Sequence, residues 1–187
     1  MSLEHLAELS KLAAKSAAAL EQPVRRYVQL VRETIAAGRT IFFAGNGGSA
    51  AHAQHMATEY VVRYRPVVRR AVPALALSTD SSLVTAAGND LGFEAIFARQ
   101  VEAHARPGDL LVLISTSGNS RNLLKAAEMA RILGARTVGL LAKDGGPLAK
   151  LVDLAIVVPT DDTAHAQEIQ LAIDHYVCSV VEPGLLP

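Results

Sequence analysis

A histidine and a glutamate lie four residues apart, at His55 and Glu59, and this pair of residue types at this spacing is typical of sites that transfer protons or bind metal ions. On an α-helix this spacing is about one turn, so both side chains face the same region. Such a pair can transfer protons or bind a metal ion. The preceding residues, Gly45-Asn46-Gly47-Gly48-Ser49, predict a glycine-rich turn whose backbone can approach a ligand closely. Because a helix that begins there offers free N–H groups to an anion, this segment predicts an active site.

A second candidate binding element is the loop Ser115-Thr116-Ser117-Gly118-Asn119-Ser120, which precedes a predicted helix from Arg121. Its hydroxyl and N–H groups can donate to phosphate oxygens, and the helix dipole favours negative charge. Neither this loop nor the glycine turn matches the P-loop or the dinucleotide-binding fingerprint. A Ser/Thr-rich loop alone is more often a simple turn. Two such loops, each directly after an apolar run, together favour a phosphate-binding site.

The elements that must position these loops alternate along the chain. Apolar runs predict strands at 41–44, 73–77, 110–114, 137–141 and 154–158. Helical patterns occupy 49–62, 93–105, 121–133 and about 165–181. Continuous apolar strands separated by helices predict a three-layer α/β domain with a five-stranded parallel sheet flanked by helices. In such sheets ligands bind beyond the carboxyl ends of the strands, near the point where the strand order reverses.

Two more helices are predicted before the first strand, over residues 3–20 with Ser2 as a cap, and from Pro23 to Ala37. Either they cover the sheet or they pack against copies of themselves in an oligomer, and the residues alone leave both alternatives open. No linker or repeat interrupts the chain. The 187 residues therefore predict a single domain, with 1–38 as a helical segment and 39–187 as the α/β core.

Composition argues against several classes of function. The 18 Lys and Arg balance the 18 Asp and Glu, so no overall charge attracts nucleic acid or an anionic membrane. The basic run at 63–70 predicts a solvated loop, and no apolar run approaches the roughly 20 residues of a membrane span. Cys178 is the only cysteine, which excludes an internal disulfide and a cysteine-based zinc cage. We expect a cytoplasmic protein with no nucleic-acid or membrane partner.

The glycine turn and the Ser/Thr loop together resemble those of sugar isomerase (SIS) domains, which bind phosphosugars, and within them those of the phosphoheptose isomerases. The segments that carry the resemblance are GNGGSAAHAQHMATE (45–59), GNDLGF (88–93), STSGNS (115–120), KDGG (143–146) and AQEIQLAIDH (166–175). The resemblance implies an aldose–ketose isomerase that converts sedoheptulose 7-phosphate to D-glycero-D-manno-heptose 7-phosphate in heptose biosynthesis for cell-surface glycans. It also implies a homotetramer whose subunits share active sites.

The resemblance implies roles for residues at positions that match the family's motifs. The phosphate would be held by Ser115, Thr116, Ser117 and Ser120. The sugar would be lined by Asn46, Gly47, Gly48, Asn89 and Asp90, with Gln167 as a further substrate contact. A zinc ion would be bound by His55, Glu59, Gln167 and His175, of which Glu59 and His175 are also the acid/base candidates. The chain departs from some relatives at Gln170 and at Ala164-His165.

The chemistry of aldose–ketose isomerisation suits these residues. A base such as Glu59 can remove the proton beside the carbonyl, and an imidazole such as His175 can move protons between the oxygens of an enediolate. Zinc would stabilise the enediolate charge, although a glutamate that holds zinc tightly is a poorer base. Gln167 and His175 are eight residues apart, about 12 Å along a regular helix. We therefore expect Gln167 in a frayed first turn, or one ligand from a neighbouring subunit.

Two alternatives remain open, an isomerase of another phosphosugar and a non-catalytic SIS adaptor. The adaptors that associate with replication initiators share a segment like Ser49–His55, but they do not need both Glu59 and His175. The other polar residues are given lesser roles. His52 is expected at the surface, Asp161 and Asp162 cap the last helix, 143–146 form a turn, and no role is expected for His5, His104 and His165.

Overall fold

The computed structural model describes residues 3–186, and a sheet of five parallel strands lies at its centre. The strands are β1 (Ile41–Gly45), β2 (Ala74–Ala76), β3 (Leu110–Ser115), β4 (Arg136–Ala142) and β5 (Leu154–Val158). They lie side by side in the order β2-β1-β3-β4-β5. Each predicted apolar run overlaps one of these strands, so the predicted parallel α/β sheet is confirmed.

Helices cover both faces of the sheet. They are α1 (Glu4–Ala19), α2 (Glu21–Ala36), α3 (Gly48–Val61), α4 (Ser81–Asp90), α5 (Ala98–His104), α6 (Arg121–Ile132), α7 (Leu148–Leu151) and α8 (Thr163–Val181), with 3₁₀ turns at Phe93–Ala95 and Glu182–Leu185. The sequence did not predict α4 or α7. The predicted cap Ser2 lies outside the described residues.

Two hydrophobic cores, one on each face of the sheet, hold these layers together. Alternate side chains of a strand point to opposite faces, so Ile41 and Phe43 enter one core while Phe42 enters the other. The first core also contains Tyr27 and Val31 of α2, so α2 covers the sheet. The N-terminal helix α1 is different, because Ser16 is its one buried residue among those described.

The strand order places the two candidate loops side by side. The neighbouring strands β1 and β3 pair in register, with Gly45 opposite Ile114, and their chains then leave towards opposite edges of the sheet. This is the switch point at which α/β sheets bind ligands. Gly45 also fixes the start of α3, because a Cβ there would lie 2.6 Å from the Ser49 carbonyl oxygen. The glycine turn and the loop after β3 therefore meet at one edge.

Candidate active site

The loop after β3 is folded tightly upon itself. The Ser115 hydroxyl accepts a hydrogen bond from the Gly118 N–H at 3.0 Å. Gly118 has φ +63°, and a Cβ there would clash with the Gly145 carbonyl oxygen. The predicted turn at 143–146 thus packs directly against this loop. Thr116 and Ser117 are half-buried, and the loop ends at Ser120, the N-cap of α6. Hydroxyls and a helix start at one strand end form a cradle suited to an anion.

The two candidate loops are joined by a reciprocal pair of amide hydrogen bonds. Asn46 donates to Asn122 at 3.0 Å, and Asn122 donates back at 2.8 Å. Asn122 lies in the first turn of α6 and is buried. Asn46 was among the predicted site residues, whereas Asn122 was not. The pair fixes the glycine turn against the start of the helix that follows the phosphate cradle.

We expect Asn122→Ala to lower the free energy of unfolding by about 1–3 kcal/mol, because it leaves the half-buried Asn46 amide without its partner. The apparent KM for the sugar phosphate should rise, since the two loops lose their link. Urea unfolding and steady-state kinetics measure the two effects. Gln22→Ala is the control, because it removes a side-chain amide from the exposed first turn of α2, away from both loops. An Asn122→Ala variant with the stability and KM of the control would contradict this role.

Three of the predicted catalytic and metal residues converge where α3 faces α8. His55 lies in the middle, with its Nε2 atom 3.1 Å from Nε2 of His175 and 3.2 Å from Oε1 of Glu59. The ring of Tyr64 lies against His175, with 5.6 Å between ring centroids. The predicted one-turn spacing of His55 and Glu59 on α3 is therefore confirmed. Their partner His175 comes from a helix 120 residues further along the chain.

Burial and the neighbouring His55 lower the pKa of His175 below its usual value. The protonated imidazole is disfavoured in such surroundings, so His175 is neutral near pH 7. A neutral ring keeps a lone pair that can accept a proton or bind a metal ion. The Glu59 side chain is 20% exposed, which leaves its carboxylate within reach of a ligand.

Among residues 3–186, no hydrogen bond connects Gln167 with this group of three, and its predicted contact with a metal ion stays a prediction. Gln167 lies in the second turn of α8, because the side chain of Asp162 caps the helix by accepting from the His165 N–H at 2.8 Å. The expectation of a frayed first turn is therefore wrong, while the predicted cap at Asp162 is confirmed. The Gln167 amide lies against Gly48, where a Cβ would be 3.0 Å from Nε2.

A cavity of about 330 Å³ lies between α3 and α8, and we call it the α3–α8 cavity. His55 and Gln167 both line it, which brings the predicted metal and substrate residues to one space. The full lining consists of Gly48, Ala51, His52, His55, Gln167, Glu168 and Leu171.

His55, Glu59 and His175 are residue types that bind zinc, but in this structure their three ligand atoms do not all lie within 4.8 Å of one another. Two imidazoles and one carboxylate are the protein ligands of many catalytic zinc sites, which leave a fourth position for water or substrate. Tetrahedral coordination at 2.0–2.1 Å places ligand atoms about 3.3 Å apart, close to the separations between His55 and its two neighbours.

Asn89 and Asp90 do not lie in this group. Both are exposed at the C-terminal end of α4, where the Asn89 amide donates to the Asp90 carboxylate at 2.7 Å. Within residues 3–186, no hydrogen bond or ion pair connects either one with the other predicted site residues. Their predicted contact with the sugar stays a prediction.

The expectation that His52 lies at the surface is wrong. Its side chain is 8% exposed, and its Nε2 atom lies 2.8 Å from Oδ2 of the buried Asp174. The other Asp174 oxygen accepts a hydrogen bond from the Tyr27 hydroxyl at 2.9 Å. Because Asp174 directly precedes His175, these contacts fix α8 against α2 and α3. His52 thus helps to hold His175 in place.

Arg69 is buried within the basic run that was expected to be solvated, so that prediction is wrong at this residue. Its guanidinium donates to the Glu182 carboxylate at 2.9 Å and to the carbonyls of Glu59 and Tyr60. The two charged side chains are only 2% and 5% exposed. Glu182 also accepts the N–H groups of the segment that follows α3. This network fixes the end of α3 that carries Glu59.

Comparison with known proteins decides the family. Residues 4–142 match the family model of the SIS domain. The phosphoheptose isomerase of Trichlorobacter lovleyi is 48% identical over 97% of this chain and 90% of its own length. That of Pelobacter propionicus is 54% identical over 84% of this chain and 82% of its own length. The chain belongs to the phosphoheptose isomerase family of SIS domains.

Solved phosphoheptose isomerase structures share the fold. The enzyme from Neisseria gonorrhoeae superposes with a TM-score of 0.91 at 36% identity, over 96% of both chains. The one from Francisella tularensis gives 0.92 at 31% identity, over 96% of this chain and 95% of its own. The predicted family, fold and enzyme class are confirmed. None of the helices between residues 3 and 186 has the length and apolar character of a membrane span.

Proposed function

We propose that this chain converts sedoheptulose 7-phosphate to D-glycero-D-manno-heptose 7-phosphate through an enediolate, as a step in heptose supply for cell-surface glycans. The observation that carries the proposal is the convergence of His55, Glu59 and His175 at α3, whose preceding glycine turn is hydrogen-bonded to the start of the helix after the phosphate cradle. The relatives named phosphoheptose isomerase support the choice of a seven-carbon substrate.

The site has two ends, the phosphate cradle after β3 and the histidines between α3 and α8, and these set the orientation of the substrate. The phosphate binds at the hydroxyls of Thr116, Ser117 and Ser120, at the start of α6. His55 lies seven residues into α3 after Gly48, about 10 Å along the helix axis. In the orientation we propose, the carbonyl end of the sugar lies at the histidines, and Gln167 beside Gly48 contacts the sugar between them.

Glu59 and His175 carry out the proton transfers. The Glu59 carboxylate removes the proton from the carbon beside the carbonyl and returns it to the neighbouring carbon. The neutral His175 ring accepts and donates protons at the two substrate oxygens, which interconverts ketose and aldose. His55, Glu59 and His175 would hold a zinc ion, which would supply Lewis-acid stabilisation of the developing oxyanion, and a Glu59 that held it tightly would be a poorer base.

The test is turnover of sedoheptulose 7-phosphate by the purified protein, with a pentose 5-phosphate and a hexose 6-phosphate as comparison substrates. The assay is repeated after chelation and after zinc is restored. Turnover that is selective for the heptose supports the substrate, and loss on chelation with recovery in zinc supports the metal. Turnover of another phosphosugar would overturn the substrate assignment, and no turnover of any would overturn the isomerase.

Ser117→Ala should raise the apparent KM about tenfold or more with kcat nearly unchanged. A hydroxyl that donates to a charged phosphate contributes roughly 1.5–3 kcal/mol to binding, and the phosphate is remote from the bond changes. Steady-state kinetics of the variant measures the effect. Ser10→Ala on the exposed face of α1 is the matched control. An unchanged KM in Ser117→Ala would remove Ser117 from the phosphate site.

We also propose that the chain forms a homotetramer with shared active sites and that it is located in the cytoplasm. An apolar groove of about 330 Å³ between α1, α2 and α8, with Leu6 of α1 55% exposed nearby, gives another copy of this chain a surface to cover. A cytoplasmic location suits a charged sugar phosphate, which a bilayer excludes. Light scattering should give four times the chain mass of 19.8 kDa, and a monomer would contradict the tetramer.

A further inference from the structure

A second group of metal-binding side chains lies outside the proposed active site, where α1 meets the first turns of α8. Glu168 accepts from two histidines, with Oε1 2.8 Å from Nε2 of His5 and Oε2 2.9 Å from Nδ1 of His165. The two rings lie side by side, with 4.2 Å between centroids. Neither histidine was expected to have a role, and for His165 the structure shows a buried ring with defined partners.

We propose that His5, His165 and Glu168 bind a divalent transition-metal ion such as Zn²⁺, Co²⁺ or Ni²⁺. One ligand atom from each residue lies within 4.8 Å of the other two, and among residues 3–186 no other group of three meets this distance. Two imidazole nitrogens and a carboxylate oxygen suit these borderline ions better than Ca²⁺ or Mg²⁺. The His5 side chain is 51% exposed, so an ion can enter and keep water as a further ligand.

The surroundings of His165 favour this arrangement. The ring is 8% exposed, and its Nε2 atom lies 3.6 Å from Oε2 of Glu8. Metal-bound histidines commonly direct their second ring nitrogen to a carboxylate, which fixes the ring and strengthens the ligand. With Nδ1 on the metal, the Nε2–H of His165 would face Glu8. The Asp162 cap fixes the backbone of His165 at the same time. The ring is thus held in place before an ion arrives.

The site would link an outer helix to the wall of the active-site cavity. His5 and Glu8 belong to α1, whereas Glu168 lies beside Gln167 on α8 and lines the α3–α8 cavity. A bound ion would therefore hold α1 onto α8 and stabilise the folded chain by mass action. The site is independent of the proposed isomerase chemistry, because it uses none of His55, Glu59 and His175.

The test measures Zn²⁺ binding by equilibrium dialysis in a full-length His55→Ala/His175→Ala background, which lacks two proposed active-site ligands. We expect this background to bind one Zn²⁺ per chain. Adding His5→Gln should weaken that binding at least about tenfold, since losing a direct ligand matters no less than losing an outer-sphere partner. The matched control is His104→Gln, which removes an exposed histidine at the end of α5.

The outcomes separate this site from the active site. Zn²⁺ binding that survives in the background, is lost with His5→Gln and is kept with His104→Gln supports the site. A background that binds no Zn²⁺, or binding that His5→Gln leaves unchanged, overturns it. Glu168→Gln provides a second variant with the same expected loss, and circular dichroism checks that each variant is folded. The experiment measures only Zn²⁺ binding and not isomerase activity. Its result can therefore be interpreted even if the proposed function is wrong.

Discussion

Glu59→Gln is expected to lower kcat for sedoheptulose 7-phosphate by about 10³-fold, within the 10²–10⁴-fold range of general-base catalysis. The amide keeps the size of the side chain and its place one turn from His55, but it cannot accept the carbon-bound proton. Because Glu59 is only partly buried at 20% exposure, the change should leave the fold intact. Rapid-quench or steady-state kinetics, with circular dichroism as a check of folding, measures the effect.

The control for Glu59→Gln is Glu128→Gln, the same chemical change on the exposed face of α6. It should have wild-type kcat and KM. The washout of deuterium from the substrate carbon tells whether Glu59 acts at carbon or only through the metal. If the Glu59→Gln variant still loses deuterium from the substrate carbon at the wild-type rate, Glu59 is excluded as the base. Full wild-type turnover would remove it from the mechanism altogether.

Arg69→Met is expected to lower the free energy of unfolding by about 3–5 kcal/mol, the usual consequence of removing one partner from a buried ion pair. The change leaves the Glu182 carboxylate with no opposite charge and deprives the Glu59 and Tyr60 carbonyls of their donor. Because the same contacts hold the end of α3, kcat should fall as well. Urea unfolding measures the first effect.

Two further variants isolate the cause of that loss. Arg63→Met removes an exposed arginine of the same segment and should change stability by less than about 0.5 kcal/mol. Arg69→Met/Glu182→Gln removes the uncompensated charge and keeps an acceptor for one of the Tyr64 and Arg65 N–H groups, which bond different oxygens of Glu182. It should recover part of the lost stability. A single Arg69→Met variant as stable as Arg63→Met would show that the buried pair contributes nothing.

The fold was largely predictable because its signals are local. Runs such as Leu110–Ile114 are apolar throughout, as strands buried on both faces must be. The helix α4 was missed since SSLVTAAGND contains Gly88, β-branched residues and no regular apolar face. Its N-cap, Asp80, which accepts from the Leu83 N–H at 2.9 Å, was the one local signal that could have revealed it.

The site was predictable only where the residues share one element or one motif. His55 and Glu59 lie one turn apart, so their contact followed from helical geometry. The burial of His52 and Asn122 depends instead on partners 122 and 76 residues away, Asp174 and Asn46. No pattern within a short window contains that information. Gln167 was misplaced for the opposite reason, because the effect of its local cap, Asp162, on the first turn was underestimated.

The contact between His55 and His175 has a consequence for how the protein is made. The ribosome adds about 5–20 residues per second, so the 120 residues between these histidines take about 6–24 s to synthesise. Throughout that interval α3 carries its histidine and glutamate without the helix that completes their pocket. The nascent chain therefore passes through a stage in which His55 and Glu59 are present and their partner His175 is not yet made. If His175 has the proposed role in proton transfer, enzyme activity begins only when α8 packs against α3.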